Sequence, residues 1–183
     1  MKKFGLGMLA IVLTMSAGAA MAAEKPFGTP TDVKFGNLLW KKLEDARLVG
    51  KNAFLPMPYE TAPPHGKYVL TADGELTVKG RTGIVIVKKN LGKSDDTTLE
   101  QVADNPDKFI KSITVMFKRE KGYDPKNKDW FWAKYAASGK LMSNPKKMAL
   151  AGRVAKGSDK GCIACHSLAP GGDYVYIHDR YAK

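Results

Sequence analysis

The stretch Gly83-Ile84-Val85-Ile86-Val87-Lys88 is the strongest indication of the fold in this 183-residue sequence. Its four central residues are all β-branched, which favours an extended strand. The run is also short and apolar, as expected for a strand that is buried inside a sheet. A buried β-strand is therefore predicted over residues 83–88.

Further strands are predicted on both sides of this one. Residues 68–71 and 75–78 flank Asp73-Gly74, a dipeptide typical of two-residue hairpin turns. Residues 130–135 (Trp-Phe-Trp-Ala-Lys-Tyr) form another strand candidate. Residues 112–117 alternate, and this places two sets of side chains on opposite faces of a strand: Ile113, Val115 and Phe117 on one, Ser112, Thr114 and Met116 on the other.

Helices are fewer in the prediction. Residues 37–49 carry an apolar stripe between a capping Asn37 and a terminating Gly50, with Trp40 as an anchor to the core. Residues 24–36 contain proline and glycine and are predicted to be a loop or arm. Three shorter elements complete the prediction: helices over 99–102 and 146–156, and a last strand over 173–177. The fold class is mainly β (α+β), an antiparallel sheet with a few short helices.

The beginning of the sequence has the pattern of an export signal. Met1-Lys2-Lys3 is positively charged, an apolar stretch around residues 9–13 follows, and Ala20-Met21-Ala22 resembles a cleavage site. The prediction is a signal peptide over residues 1–23 and a single domain over 24–183. The apolar stretch is short for a bilayer span, so we expect an exported, periplasmic protein without a membrane span.

The net charge of +12 limits the partners that the surface suits. A cationic surface could attract nucleic acid, an anionic membrane or an acidic protein. No pattern of basic and aromatic residues typical of nucleic-acid binding is present. An acidic redox protein is therefore the macromolecular partner that we expect, with a solvated cationic surface as the alternative.

Chemistry is concentrated in Cys162-Ile163-Ala164-Cys165-His166, which has the C-x-x-C-H pattern of c-type haem attachment. Two thiols at this spacing can add to the two haem vinyl groups, and the histidine that follows is a good axial ligand for iron. The chain has two cysteines, and both lie in this motif. A thioredoxin-like dithiol would follow a strand in an alternating strand–helix chain, and a zinc site would need further ligands. The motif therefore predicts one covalently attached haem c, with Cys162 and Cys165 as attachment residues and His166 as the iron ligand.

The sequence does not favour a second axial ligand. Fewer than twenty residues follow His166, and none of them is methionine. Upstream candidates are Met57, Met116, Met142, Met148 and His65, but each also suits an ordinary packing or turn position. His178 is close in sequence to the proximal side. We therefore expect five-coordinate iron with one open face, which suits ligand binding or chemistry more than electron transfer alone.

Late haem motifs also occur in the four-helix cytochromes c′, but that fold needs long amphipathic helices, and strands are predicted here. The chain instead resembles the cytochrome P-460 and cytochrome c′-beta family. The segments that carry this resemblance span most of the predicted domain: Pro64-His65-Gly66, Gly83–Lys88, Gly122-Tyr123-Asp124-Pro125, Asp129-Trp130-Phe131-Trp132, Cys162–His166 and Asp173-Tyr174-Val175.

The resemblance implies a mainly antiparallel β fold, a homodimer and five-coordinate haem with His166 on the proximal side. It also implies two functional branches. The P-460 branch oxidises hydroxylamine, using a lysine joined covalently to the haem and a distal carboxylate. The c′-beta branch has an apolar distal pocket and binds nitric oxide or carbon monoxide. Lys88 occupies the position where the cross-linking lysine would fall, and an ordinary solvent-facing lysine is the alternative.

The distal carboxylate is harder to find. The strand over 112–117 contains no acid, and the nearest one is Glu120 in a charged turn. Phe54 or Phe117 would instead favour small uncharged gases, although either could simply pack in the core. We therefore expect a protein that binds nitric oxide or a related small gas. An enzyme that oxidises hydroxylamine or nitric oxide and a plain electron carrier are the alternatives.

Overall fold

A six-stranded antiparallel sheet dominates the computed structural model, which describes residues 26–54, 56–61, 64–92 and 95–176. The strands follow one another in space in the order of the sequence. The predicted signal peptide lies outside the described residues. The elements, in chain order, are α1 (Pro30–Asp45), β1 (Tyr59–Glu60), β2 (Tyr68–Val78), β3 (Arg81–Leu91), α2 (Leu99–Asp104), β4 (Ile110–Lys118), β5 (Trp130–Tyr135), β6 (Ala151–Gly152) and α3 (Cys162–His166), with single 3-10 turns at Pro106–Phe109 and Pro125–Asn127. The predicted mainly β fold class is confirmed.

One face of the sheet packs against α1 and forms the main core. Leu39 and Leu43 of α1 are fully buried against alternate residues of the central strands, among them Val85, Val115 and Phe131. Trp40 anchors the helix as expected, since its ring lies 4.9 Å from the ring of Tyr135. The predicted alternation of residues 112–117 is confirmed, because Ile113, Val115 and Phe117 belong to this core, whereas Met116 belongs to a cluster on the opposite face.

The opposite face of the sheet carries a second apolar cluster that holds the haem motif. Ile86, Met116 and Trp132 pack there with Ile163, the residue between the two cysteines. Because adjacent strand residues point to opposite faces, this cluster is separate from the main core. The sheet therefore separates a structural core on one face from the predicted haem site on the other.

Two predictions in the first half of the chain were wrong: the start of the first helix and the position of the hairpin turn. The helix begins at Pro30, inside the segment predicted as a loop, because Thr29 and Asp32 form a capping box. Asp73-Gly74 is not a turn: β2 continues through it, with Gly74 paired to Val85. The chain reverses at Lys79-Gly80, where both residues have positive φ, as a type I′ hairpin turn requires.

Two predictions near the haem motif were also wrong. Residues 146–156 form no helix; they contain β6, and Gly152 has φ +103° and lies so close to the Asp32 carboxylate that a Cβ would clash. The described part of the predicted last strand, residues 173–176, is irregular, with Tyr174 at φ +65°.

The predictions of a short helix near Leu99 and of a strand over 130–135 are confirmed. Within the part of the chain that the structure describes, no helix combines the length and apolarity needed to traverse a bilayer.

Candidate haem site

Helix α3 consists of the haem motif itself. Ile163 is buried in the second apolar cluster and fixes the helix on the sheet. Cys162 is half-buried and Cys165 exposed, and both are free thiols. Burial raises the pKa of the Cys162 thiol, which keeps it protonated in the haem-free chain. The two thiols therefore lie on one anchored turn, next to the histidine that follows them.

His166 is held in one tautomer by a backbone carbonyl. Its side chain is buried, and its Nδ1 lies 2.7 Å from the carbonyl oxygen of Tyr174. A carbonyl only accepts hydrogen bonds, so Nδ1 carries the proton and Nε2 keeps a free lone pair. Burial is the main cause that lowers the pKa of His166 to about 4, and the nearby His65 and Lys88 lower it further. The imidazole is therefore neutral at pH 7, which is the form that binds metals.

The segment that supplies this carbonyl is fixed at several points. Trp130 Nε1 donates to the carbonyl of Asp173 (2.9 Å), and the Asp173 carboxylate pairs with Lys118 Nζ (2.6 Å). The Tyr176 hydroxyl donates to the carbonyl of Cys165 (2.9 Å). Tyr174 adopts the left-handed conformation that non-glycine residues rarely take. Residues 173–176 therefore orient the His166 ring, which is the usual role of a group that contacts a metal-binding histidine.

A polar strip lies on the sheet face next to His166. Lys88 of β3 is paired with Thr114 of β4, and Thr114 is paired with Lys134 of β5. Both lysines are half-buried, and burial lowers the pKa of Lys88. Neither lysine has an ion-pair partner among the described residues. This face is therefore positively charged close to the haem motif.

The structure brings His65 to the same place. The centroids of the His65 and His166 rings are 6.1 Å apart, and the ring planes are at 89°. His65 Nδ1 lies 3.1 Å from Asn90 Oδ1. Burial is the largest cause that lowers the pKa of His65, and the positive charges of Lys88 and Lys134 lower it further. Two neutral imidazoles therefore lie close together beside the predicted haem motif.

The methionines weighed as iron ligands lie elsewhere or in packed positions. Met57 is 75% exposed. Met116 is buried in the second apolar cluster, and Met148 packs against that cluster. Met142 is half-buried, and its backbone bonds to that of Lys134. The other histidine considered, His178, lies outside the described residues.

The residues considered for the distal pocket do not gather near His166. Phe117 belongs to the main core, on the opposite face of the sheet. Phe54 is 58% exposed, with the Arg47 guanidinium 4.5 Å from its ring centroid. Glu120 is exposed and forms two hydrogen bonds with Arg119. Lys88 lies near His166, but none of these three residues does.

The residues that are present fit a haem group. The donor set has two thiols and an imidazole with a free Nε2, as covalent attachment and iron ligation require. The Nε1 of Trp132 is buried without a hydrogen-bond partner among the described residues, and its ring lies 4.8 Å from that of His166. Haem also carries two carboxylates, which suit the charges of Lys88 and Lys134. Lys88 and the unused Trp132 donor thus lie near His166, where they would suit an acidic cofactor.

Sequence reasoning missed several parts of this site. Asn90 follows Lys88 and Lys89, beyond the end of the predicted strand, so the sequence does not indicate that its side chain is buried. Trp132 lies in a predicted strand and in a segment that carries the family resemblance, but neither indicates that its ring contacts His166. The carbonyl of Tyr174 has no sequence signal, because any residue has a carbonyl.

Comparison with protein families finds one described as Cytochrome P460, whose model matches residues 71–177. The matched span is more than half of the chain. It runs from β2 to the residues just after the carbonyl that orients His166, and it includes both cysteines and Lys88. Neither the curated proteins nor the solved structures contain a significant match to the chain.

Proposed function

The chain belongs to the cytochrome P460 family of c-type haem proteins, and on this premise we propose that it binds nitric oxide or a related small gas at haem iron. Cys162 and Cys165 attach a single haem c, and His166 is the proximal ligand. The haem, when bound, supplies an iron atom that takes up the gas. The form that accepts the gas is five-coordinate, with His166 as its protein ligand.

The observation that supports gas binding over oxidation is the charge around the two imidazoles. The charged side chains that lower the pKa of His65 and His166 are Lys88 and, for His65, also Lys134. No carboxylate among the described residues contributes to either shift. Oxidation of a bound substrate needs a group that accepts protons, and a carboxylate is a common one. With no carboxylate acting on either imidazole among the described residues, the site favours the binding of an uncharged gas over oxidation assisted by a carboxylate.

Uptake of carbon monoxide by the reduced protein tests this proposal. We expect the optical spectrum of the ferrous protein to change on addition of carbon monoxide, with one molecule bound per haem, because the gas would bind the iron that His166 holds. Nitric oxide should give a corresponding change. A purified protein without haem, or a ferrous protein whose spectrum is the same with and without either gas, would contradict the proposal.

A second function is supported by Lys88. Burial lowers the pKa of this amine, so that more of it is in the neutral, nucleophilic form. Lys88 also lies on the face that holds the haem motif. In this alternative, Lys88 is joined covalently to the haem, and the protein oxidises hydroxylamine or nitric oxide and passes the electrons to a partner.

A cross-link at Lys88 has a clear optical signature. If it forms, the ferrous protein shows a strongly red-shifted band, which Lys88→Ala removes because the extra bond to the macrocycle is lost. Lys134→Ala is the matched control, since it removes a half-buried lysine from the same face and should leave the band in place. For the gas-binding function we expect an ordinary c-type spectrum in the native protein and in both variants.

The proposal also covers location and partners. The predicted signal peptide supports export to the periplasm, where c-type haem attachment is compatible with reactive thiols. The net charge of +12 would steer an acidic redox protein to the surface. We further propose a homodimer, on the basis of the family resemblance. A plain electron carrier remains the third function, and it would show no gas uptake.

A further inference from the structure

Two histidines far apart in the sequence are brought together at this site. The ring centroids of His65 and His166 are 6.1 Å apart, with the planes nearly perpendicular. A metal–nitrogen bond of about 2 Å on each side, together with the radius of each ring, would separate the centroids of two axial imidazoles by roughly 6 Å. The observed separation of 6.1 Å therefore leaves enough room for both histidines to bind one metal ion.

The lone pair of His65 is as well defined as that of His166. Asn90 Nδ2 lies 3.1 Å from Ser112 Oγ and 3.3 Å from Thr114 Oγ1, so the amide nitrogen donates to these hydroxyls. The amide oxygen of Asn90 is thereby directed at His65 Nδ1 and can only accept. Nδ1 of His65 must carry the proton, which leaves Nε2 free. In both histidines, therefore, a second group fixes the tautomer that is suited to metal binding.

The loop that carries His65 is held against the sheet. Gly66 has φ +114°, and a Cβ at this position would lie 2.6 Å from the Leu91 carbonyl oxygen, so a glycine is needed there. The Lys67 amide donates to that same oxygen (3.2 Å). Lys67 Nζ also donates to the carbonyl of Asp95 (2.8 Å). These contacts place His65 beside the end of β3, next to Asn90.

We propose that Nε2 of His65 binds the haem iron opposite His166 in the resting protein, and that an incoming gas must displace it. This inference rests on the proposed function, because it needs haem at the C-x-x-C-H motif. The bond between iron and Nε2 breaks as the bond to the gas forms, with no change in oxidation state. The five-coordinate form that accepts the gas is then the open state of an equilibrium.

Competition by His65 raises the affinity that a gas needs in order to bind. If only a fraction of the molecules is open, the apparent dissociation constant of every gas is raised by the reciprocal of that fraction. A gas that binds iron tightly still displaces His65, whereas one that binds weakly does not. The ratio of affinities between gases is unchanged, but at low concentration only a tight-binding gas such as nitric oxide occupies the iron.

Spectra of the complete haem protein test the ligand assignment. We expect the native ferric and ferrous forms to be low-spin and His65→Ala to be high-spin, with imidazole added to the variant restoring the low-spin spectrum. His178→Ala is the matched control, because it removes the chain's other non-motif histidine and should leave the spectrum low-spin. If minor open states are populated at about 0.1–10%, carbon monoxide should bind His65→Ala roughly ten- to a thousandfold faster than the native protein.

The outcomes separate this inference from the proposed function. A native protein that is already high-spin, or one that stays low-spin in His65→Ala, overturns the His65 assignment even if gas uptake is normal. Low-spin native protein that becomes high-spin in His65→Ala supports the assignment, even if neither form takes up a gas and the gas-binding function fails. If His65→Ala does not fold, His65→Gln keeps a polar side chain over Asn90, and the same spectral change is required of it.

Discussion

Replacing Cys162 and Cys165 together by serine should abolish covalent haem attachment completely. Both thioether bonds need a sulfur atom, and the chain has no other cysteine. The loss of the tether also removes the high effective concentration at which His166 meets the iron. We therefore expect haem to be absent from the denatured double variant and weakly held, if at all, by the folded one. Haem staining after denaturing electrophoresis and the intact mass of the protein measure this directly.

The single variants are internal controls for this result. Cys162→Ser and Cys165→Ser each leave one sulfur, so each should retain some covalent haem with a slightly shifted spectrum. Cys165 is exposed and Cys162 is half-buried, but both lie on α3 beside His166. Haem that remains bound to the denatured double variant would show that another residue makes a covalent bond, and Lys88 would be the first to examine.

Phe117→Ala should cause the largest loss of stability among the sites considered for the distal pocket. The Phe117 ring is fully buried, and it lies 5.9 Å from the Phe35 ring in the main core. Truncation of a buried phenylalanine costs about 3–5 kcal/mol, a large part of the roughly 5–15 kcal/mol that stabilises a typical domain. Urea unfolding followed by tryptophan fluorescence measures the free energy of unfolding.

Phe54→Ala is the matched control for that measurement. Phe54 is 58% exposed, and its main described interaction is with the Arg47 guanidinium, so its truncation should cost less than about 1 kcal/mol. The carbon monoxide affinity of a Phe117→Ala protein that remains folded should be nearly native, because the ring is on the face opposite His166. Equal losses of stability in the two variants would mean that the core is not where the structure places it.

The strands were predictable because their signal is local. In Ile113, Val115 and Phe117, alternation alone identifies the buried face, and β-branched residues in β3 favour the extended backbone. The hairpin turn was not predictable in the same way. Asp73-Gly74 has the better turn residues, but ending the strand there would give up the pairing of residues 75–78 with β3. Sheet pairing over that length therefore determines that the reversal occurs at Lys79-Gly80.

The helix predictions failed where long-range packing competes with local pattern. Residues 146–156 have a helical composition, but Gly152 sits against Asp32 of α1, in a conformation that a helix does not contain. That contact joins two distant parts of the chain. The opposite failure occurred at Thr29-Pro30, where a local signal, the capping box of Thr29 and Asp32, starts the helix inside the segment predicted as a loop.

The sequence by itself determined the chemistry that depends on adjacent residues: two thiols and an imidazole in one motif, and strands with one apolar face. Such patterns are read from neighbouring side chains, and packing does not change them. Only the tertiary structure decided which face of the sheet carries that motif, which carbonyl orients His166, and that His65 and Asn90 lie next to it. These relations depend on the pairing of strands and on loops such as that at Gly66, and both arise from contacts between residues that are far apart in the chain.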